Sequence, residues 1–216
     1  MEKISLFEIF KIGIGPSSSH AMGPWKAACD FFKKYYNLNG SLENVIGLKV
    51  ELFGSLAKTG TGHGTDKAII MGLTGADITT FKSHQLIPSI EKINLEKKLS
   101  LLGKQEIDFN SELDILFNRE TLRQTHANTM DFTLLLASGE QETATYYSIG
   151  GGFIQRKGET KKSNEKAIIP FPIQNAEEMI NWCETEKNHW MKFLWPTNYV
   201  GIRMMKSIPI LEASGM

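Results

Sequence analysis

Two runs rich in β-branched and aromatic residues, Asp131 to Ala137 and Thr143 to Ile149, flank the short polar segment Ser138-Gly139-Glu140-Gln141. Runs of this kind joined by so short a turn predict a β-hairpin, and a hairpin commits at least part of any sheet to antiparallel pairing. A third run, Val45 to Phe53, alternates with a period of two. Leu48, Val50 and Leu52 face one way and Lys49 and Glu51 the other, the signature of a half-buried strand. Helical spacing surrounds these strands. Pro24 suits a first helical turn, and Trp25, Ala28, Cys29, Phe32 and Tyr36 then recur at three- and four-residue steps until Asn37, Asn39 and Gly40. Ser5 with Glu8, and Asn175 with Glu178, have capping-box spacing, and they predict helices over 5–12 and from Asn175 to Cys183. Strands and helices interleave, yet the best-defined strands are antiparallel, so the fold class is α+β, with a mixed or antiparallel sheet rather than a doubly wound one.

Between these anchors the pattern is weaker. Leu86 to Lys92 reads as helix, and two short strands are expected near Ser100 and Glu106. Residues Arg156 to Lys166 form a Lys-rich polar stretch, read as a solvated loop or linker, and Gly150-Gly151-Gly152 interrupts the strand that leads into Phe153 and Ile154. The last thirty or so residues carry Trp190, Trp195, Met204, Met205, Ile208, Ile210 and Leu211 with few polar residues among them, and are read as a tail that prefers a partner surface.

Composition removes several functions. With 216 residues, 41% hydrophobic and 22% charged, the chain is neither a disordered nor a membrane sequence. Twenty-four Lys plus Arg balance twenty-four Asp plus Glu, which leaves no basic field for nucleic acid and no polybasic surface for a membrane. The N-terminus shows no secretory pattern and no apolar run long enough to span a bilayer, so a cytoplasmic setting is expected. The two cysteines, Cys29 and Cys183, cannot complete a four-thiolate iron–sulfur or zinc site, and no metal site is assigned to this chain. Both fall on apolar helical stripes and are expected to be buried structural thiols.

Two segments concentrate chemistry. Ser17-Ser18-Ser19-His20 follows Gly13, Gly15 and Pro16, and reads as a loop of three hydroxyls, backbone N–H groups and an imidazole just ahead of a helix. Such a set suits a carboxylate or phosphate, while the plainer reading is serines that cap the next helix and a surface histidine. The loop lacks the lysine of a phosphate-binding loop and follows no strand, so a nucleotide is not expected. In Thr59-Gly60-Thr61-Gly62-His63-Gly64-Thr65-Asp66, three glycines alternate around Thr61 and His63, which places the imidazole at a strand–loop–helix turn. A histidine there can serve as a general base. The plainer reading is a turn whose Thr65 or Asp66 caps a helix, and the functional one is preferred because loops between regular elements so often carry function. His84 and His189 are expected at the surface. His126 with Asn128 is equally a pocket wall or a polar turn.

Taken together, Ser5-Leu6-Phe7-Glu8-Ile9-Phe10-Lys11-Ile12-Gly13-Ile14-Gly15-Pro16-Ser17-Ser18-Ser19-His20, then Leu52-Phe53-Gly54-Ser55-Leu56 with Thr59 to Asp66, then Thr145-Tyr146-Tyr147-Ser148-Ile149-Gly150-Gly151-Gly152-Phe153 resemble the β domain of iron–sulfur L-serine dehydratases. The resemblance runs from about residue 3 to residue 187. It implies an L-serine ammonia-lyase that converts L-serine to pyruvate and ammonia without pyridoxal phosphate, using a 4Fe-4S cluster ligated by cysteines outside this chain. It further implies an iron–sulfur α domain or subunit as partner, an isolated chain that is inactive, and a fold like the allosteric substrate-binding domain of phosphoglycerate dehydrogenases. His63 matches the family's glycine-flanked histidine and becomes the catalytic candidate. Ser17, Ser18, Ser19 and His20 become substrate-binding candidates, with Thr61, Gly62, Thr65, Asp66 and Asn128 shaping the same site. His126-Ala127-Asn128-Thr129-Met130 departs from the family pattern by carrying Thr129 where a glycine is expected. The implied organisation is a β domain over 1–155, a linker over 156–174 and a helical segment over 175–216 that contacts the cluster-binding α domain. A homodimer is a further expected assembly, and the rival function is a stand-alone regulatory domain that binds serine or another amino acid without catalysis.

Overall fold

The structure, a computed structural model, describes residues 15–121, 125–159 and 175–187. The helix expected over 5–12, most of the 156–174 linker, His189 and the tail from Trp190 lie outside the described residues. The chain divides into two units, residues 11–160 and residues 1–10 with 161–216. Of the second, the described part is one helix, taken by itself below.

In the larger unit a π-helical turn, Ser18–Met22, runs directly into α1, Gly23–Asn39. After it come β1 (Val45–Gly54), α2 (Ser55–His63), α3 (Thr65–Leu73) and α4 (Leu86–Glu96). The strands β2 (Lys98–Leu101) and β3 (Gln105–Asp108) form a separate two-stranded hairpin, so the two short strands expected near Ser100 and Glu106 are present. A single turn, α5 (Ser111–Asp114), precedes β4 (Ile115–Asn118), and β5 (Asn128–Leu136), β6 (Gln141–Gly150) and β7 (Phe153–Arg156) complete the unit. The main sheet has the order β4-β1-β5-β6-β7. β1 and β4 are parallel and every other pairing in that sheet is antiparallel, which makes it a mixed sheet in an α+β domain. The central β5–β6 pair is the expected hairpin, and the three-glycine segment turns β6 back into β7 rather than merely interrupting one strand.

The period-two pattern works as a sorting device. Val50 pairs with Phe132, which pairs with Ala144, and Leu52 pairs with Met130, which pairs with Tyr146. All six are buried on one face. Phe31 and Phe32 of α1 close over them, with the Phe31 and Phe132 rings stacked at 5.4 Å. The opposite face carries Lys49 with Glu51, and Thr133 hydrogen-bonded to Thr143 at 2.9 Å. Burying a large side chain on the first face removes apolar area worth about 1.5–3 kcal/mol, so a one-residue slip in register would invert the whole arrangement. A polar bolt sits at the edge of this layer. Tyr146 donates to Asp30 at 2.9 Å, and Lys34 bridges Asp30 and Glu159, tying α1 to the chain just after β7. Burial and the Asp30 carboxylate hold the Tyr146 phenol well above its ordinary range.

In the second unit, α6 (Ala176–Thr185) begins at Asn175, whose side chain accepts from the Glu178 N–H at 2.8 Å, as the capping spacing requires. Cys29 on α1 and Cys183 on α6 are half-buried rather than buried, because each stands at the margin of its apolar stripe. Tyr36, on the same stripe as Cys29, is likewise half-buried.

The junction that delivers the site is Gly54. Its φ of 58° and ψ of −127° lie where a side chain is not tolerated, and a Cβ would be forced into the carbonyl oxygen of Ala127. That carbonyl accepts from the Ser55 N–H at 2.7 Å and fixes the exit from β1. Gly54→Ala is expected to lower unfolding stability by about 2–4 kcal/mol, from left-handed strain plus a backbone clash. The check is the denaturant midpoint, with the slope unchanged from the parent.

Candidate active site around His20 and His63

The serine-rich segment is not a loop, because the π-helical turn of Ser18–Met22 continues the α1 helix toward its N-terminus. Within this wider turn His20 lies inward, 8% exposed. A buried imidazole is tolerated when its two nitrogens are hydrogen-bonded, and four hydroxyls lie in reach. Ser19 Oγ is 3.0 Å and Ser17 Oγ 3.3 Å from Nδ1, while Ser55 Oγ is 3.0 Å and Thr59 Oγ1 3.1 Å from Nε2. Thr59 donates its one proton to the Ser55 carbonyl at 3.0 Å, so toward His20 it accepts. That arrangement suits a neutral ring with its proton on Nε2 and a lone pair on Nδ1 that accepts a hydrogen bond from Ser19. Sequence reasoning missed Ser55 and Thr59, which line up only because the segment folds as a helix.

The glycine-rich segment is also not a loop. Residues Ser55–His63 form α2, Gly64 alone takes the left-handed conformation (φ 69°), and α3 starts at Thr65. Gly60 is helical and buried, and a Cβ on it would press on Thr65 and Phe117. Its role is therefore close packing rather than positive φ. His63 ends α2, half-buried, with its ring centroid 4.9 Å from that of His20 and its Nδ1 buried without a hydrogen-bond partner. Thr65 is buried and donates to the His20 carbonyl at 2.6 Å, so it anchors the serine turn instead of capping a helix by its side chain. Asp66 is half-buried with Oδ1 enclosed and unpaired.

The structure therefore gathers Ser17, Ser19, His20, His63 and Thr65 into one cluster. Ser18 contributes its carbonyl, which accepts from Gly23 N–H. Thr61 and Gly62 are exposed on α2, and Gly62 has open space where a Cβ would stand. Asn128 begins β5 opposite Gly54; its Nδ2 donates to the Ser148 carbonyl at 3.2 Å and its Oδ1 is buried without a partner. Ser148 then donates through Oγ to the Ser19 carbonyl at 2.7 Å, linking Asn128 to the cluster. Ser148 was also missed, although the inward alternation Ala144, Tyr146, Ser148 on β6 marks it. His126 belongs to a polar turn, accepting from Asn128 N–H at 3.0 Å, and His84 is exposed as expected.

Burial and, after it, the neighbouring His63 push the His20 imidazole below the ordinary histidine value of 6.5, against a smaller opposing pull from the Ser55 backbone. Three enclosed polar atoms, His63 Nδ1, Asp66 Oδ1 and Asn128 Oδ1, have no hydrogen-bond partner, each at a cost of about 1–3 kcal/mol. Enclosed polar atoms of this kind fit a small ligand that brings its own donors.

With Cys29 and Cys183 as its only thiols, the chain lacks a donor set for an iron–sulfur cluster. Among the described residues no three His, Cys, Asp or Glu side chains gather as a metal site, and no helix is long and apolar enough to cross a membrane. The fold and the cluster define an α+β domain that presents imidazoles and hydroxyls at the junction of its helices and sheet. Residues 5–159 match the serine dehydratase beta chain family, and the chain belongs to that family. It is 38% identical over 181 residues to the L-serine dehydratase of Streptomyces coelicolor, covering 82% of this chain and 40% of that protein. It is 38% identical over 183 residues to that of Haemophilus influenzae, with coverage of 83% and 40%. L-serine dehydratase 1 of Escherichia coli is 35% identical over 207 residues, covering 95% of this chain and 45% of that protein. The chain thus spans less than half the length of these relatives.

Because the unfolded chain binds a proton near 6.5 and the folded His20 resists it, stability is highest above that value and is lost as pH falls through it. Melting temperature should drop between about pH 7 and about pH 5, ahead of the range where carboxylates titrate. His20→Asn should flatten that limb, even if it lowers the plateau; an undiminished slope would remove His20 as its source.

Proposed function

We propose that this chain is the β portion of an L-serine dehydratase, an L-serine ammonia-lyase that deaminates L-serine to pyruvate and ammonia together with an iron–sulfur α domain or subunit. The observation that carries this reading is the His63 ring, which packs on a neutral, fully hydrogen-bonded His20 while its own Nδ1 is enclosed without a partner. A 4Fe-4S cluster belongs to thiolates outside this chain and supplies Lewis-acid chemistry to the complete enzyme; pyridoxal phosphate is not required. L-Serine is the substrate and the setting is cytoplasmic. A helical segment over 175–216, reached by the linker over 156–174, meets the cluster-binding partner, and residues 1–155 form a domain akin in fold to the allosteric substrate-binding domain of phosphoglycerate dehydrogenases.

The chain's own share of the chemistry is proton handling. His63 removes the Cα proton of L-serine and its imidazole becomes imidazolium; the electron pair forms the Cα–Cβ double bond as the Cβ–O bond breaks, and the proton passed on from the imidazolium lets the oxygen leave as water and restores His63. The aminoacrylate then tautomerises to an imine, which water hydrolyses to pyruvate and ammonia. The His20 ring lies 4.9 Å from that of His63, and burial together with its hydroxyl partners favours its neutral form. Ser17, Ser18, Ser19, Thr61, Gly62, Thr65, Asp66 and Asn128 shape the substrate's surroundings, with the Ser17 to Ser19 hydroxyls and the Asp66 and Asn128 acceptors offering partners to its ammonium, hydroxyl and carboxylate groups.

Anaerobic reconstitution with the cluster-bearing partner, assayed for pyruvate, tests this. His63→Ala should reduce kcat by about 10²–10⁴-fold, the span of a lost general base, while partner binding persists. Activity that survives the substitution would exclude His63 as the base. Tight calorimetric binding of L-serine to the isolated chain, with no turnover when the partner is added, would instead favour an amino-acid-binding regulatory domain.

A further inference from the structure

Pro24 creates a hydrogen-bonding problem in the serine turn. In the π register of this turn, Gly23 N–H bonds back to the Ser18 carbonyl, five residues earlier. The same register would assign the Ser19 carbonyl to residue 24, and an α register would assign the His20 carbonyl to residue 24. Proline has no N–H to give to either. Two hydroxyls from other elements take its place: Ser148 Oγ of β6 donates to the Ser19 carbonyl at 2.7 Å, and Thr65 Oγ1 of α3 donates to the His20 carbonyl at 2.6 Å. Ser148 is fully buried. It can approach only because residue 23 is glycine, since a Cβ there would be driven into its Oγ and stand 2.8 Å from its Cβ.

An α register has an obvious competitor for Ser148. If Gly23 N–H turned to the Ser19 carbonyl, the turn would narrow to the α register and the Ser148 hydroxyl would have to share that carbonyl with a backbone donor. The hydroxyl therefore favours the wider π winding, in which Ser17 and Ser19 meet His20 Nδ1 while Ser55 and Thr59 meet its Nε2. Single π turns inside helices recur at functional sites because they re-aim side chains in this way.

We propose that Ser148 is a positioning residue for the reaction: its hydrogen bond to the Ser19 carbonyl, admitted by Gly23, locks the serine turn in the π register that places His20 between its four hydroxyl partners and against His63. The proposal rests on the reading of that turn as part of the active site. It gives a function to the Tyr147-Ser148-Ile149-Gly150 motif, on the strand that also receives Asn128 through the Ser148 carbonyl.

Ser148→Ala in the full chain tests the lock by two readouts. The NMR titration of the His20 ring should move up toward the ordinary histidine value, because a turn relaxed to α pitch withdraws the ring from its buried partners. In the reconstituted enzyme kcat should fall about tenfold or more, with KM for L-serine changed less, as expected for displacement of a reacting geometry. The exchange pair Gly23→Ala with Ser148→Gly transfers the methylene across the contact, leaving the new Cβ 3.7 Å from the Cα of residue 148, and restores volume without the hydroxyl. It should behave like Ser148→Ala. Should Ser148→Ala not fold, Ser148→Cys fills the space with a weak donor and carries the same comparison. An unmoved His20 titration in a folded variant overturns the lock, as does recovery of titration and turnover by the exchange pair. A shifted titration with unchanged turnover upholds the lock and instead removes the catalytic reading of the turn.

Discussion

Burying a histidine side chain between two helices and a sheet is unfavourable unless its ring and its backbone are satisfied, and His20 sets the conditions that the surrounding elements meet. Its Nδ1 is served from its own turn, its Nε2 from α2, its carbonyl from α3, and the preceding carbonyl from β6. The α2–α3 pair and β6, both distant from it in sequence, thus converge on one turn. Individually such bonds contribute about 0.5–1.5 kcal/mol, but leaving any one acceptor buried without a donor costs more than forming it gains. The cluster is therefore held together by the penalty for incompleteness, which also makes it specific about geometry.

The glycines at this convergence do different things. Gly54 turns the chain from β1 into α2 through a conformation closed to other residues, so that Ser55 and Thr59 rise beneath the His20 ring. Gly23 and Gly60 are ordinary helical residues in φ and ψ; they are small because Ser148 on one side and Thr65 with Phe117 on the other occupy the space a Cβ would take. Packing in this region is so close that hydroxyl groups act as spacers as well as donors. A site assembled in this way has little freedom to adjust, which suits groups that must be in place before a substrate arrives.

How much of this was legible in the sequence depends on the range of the interaction. The strand Val45 to Phe53 and the hairpin over β5 and β6 were readable because alternation is a local property and the buried face enforces it. The Asn175 cap was readable for the same reason. The two chemical segments meet in one cluster, but neither is the loop that its glycines and prolines suggest. Thr59 to His63 looked like a loop because each glycine weakens a helix by about 1 kcal/mol, and the local preference lost to tertiary packing that needs Gly60 bare and places Leu56 and Ala57 in the core. Ser17 to His20 reads as a loop because Gly15 and Pro16 precede it, whereas Pro24, which has no N–H for the preceding turn, leaves the Ser19 carbonyl to Ser148. No local rule reveals Ser55 or Ser148 as partners of this turn, since each contact requires the sheet and helices to be docked first.

That difference in range also explains the chemical character of the cluster. Hydroxyls and imidazoles can each either donate or accept, so a chain of them can pass from one proton arrangement to another by rotating O–H groups without moving heavy atoms. Thr59, whose proton is committed to the Ser55 carbonyl, and Ser19, whose oxygen faces His20 Nδ1, fix the direction of that chain at rest. His63 stands beside this chain, its ring 4.9 Å from that of His20 and its Nδ1 enclosed without a hydrogen-bond partner. Because His20 is fixed from both ring nitrogens and from its carbonyl, the surface it offers to the His63 ring is fixed as well.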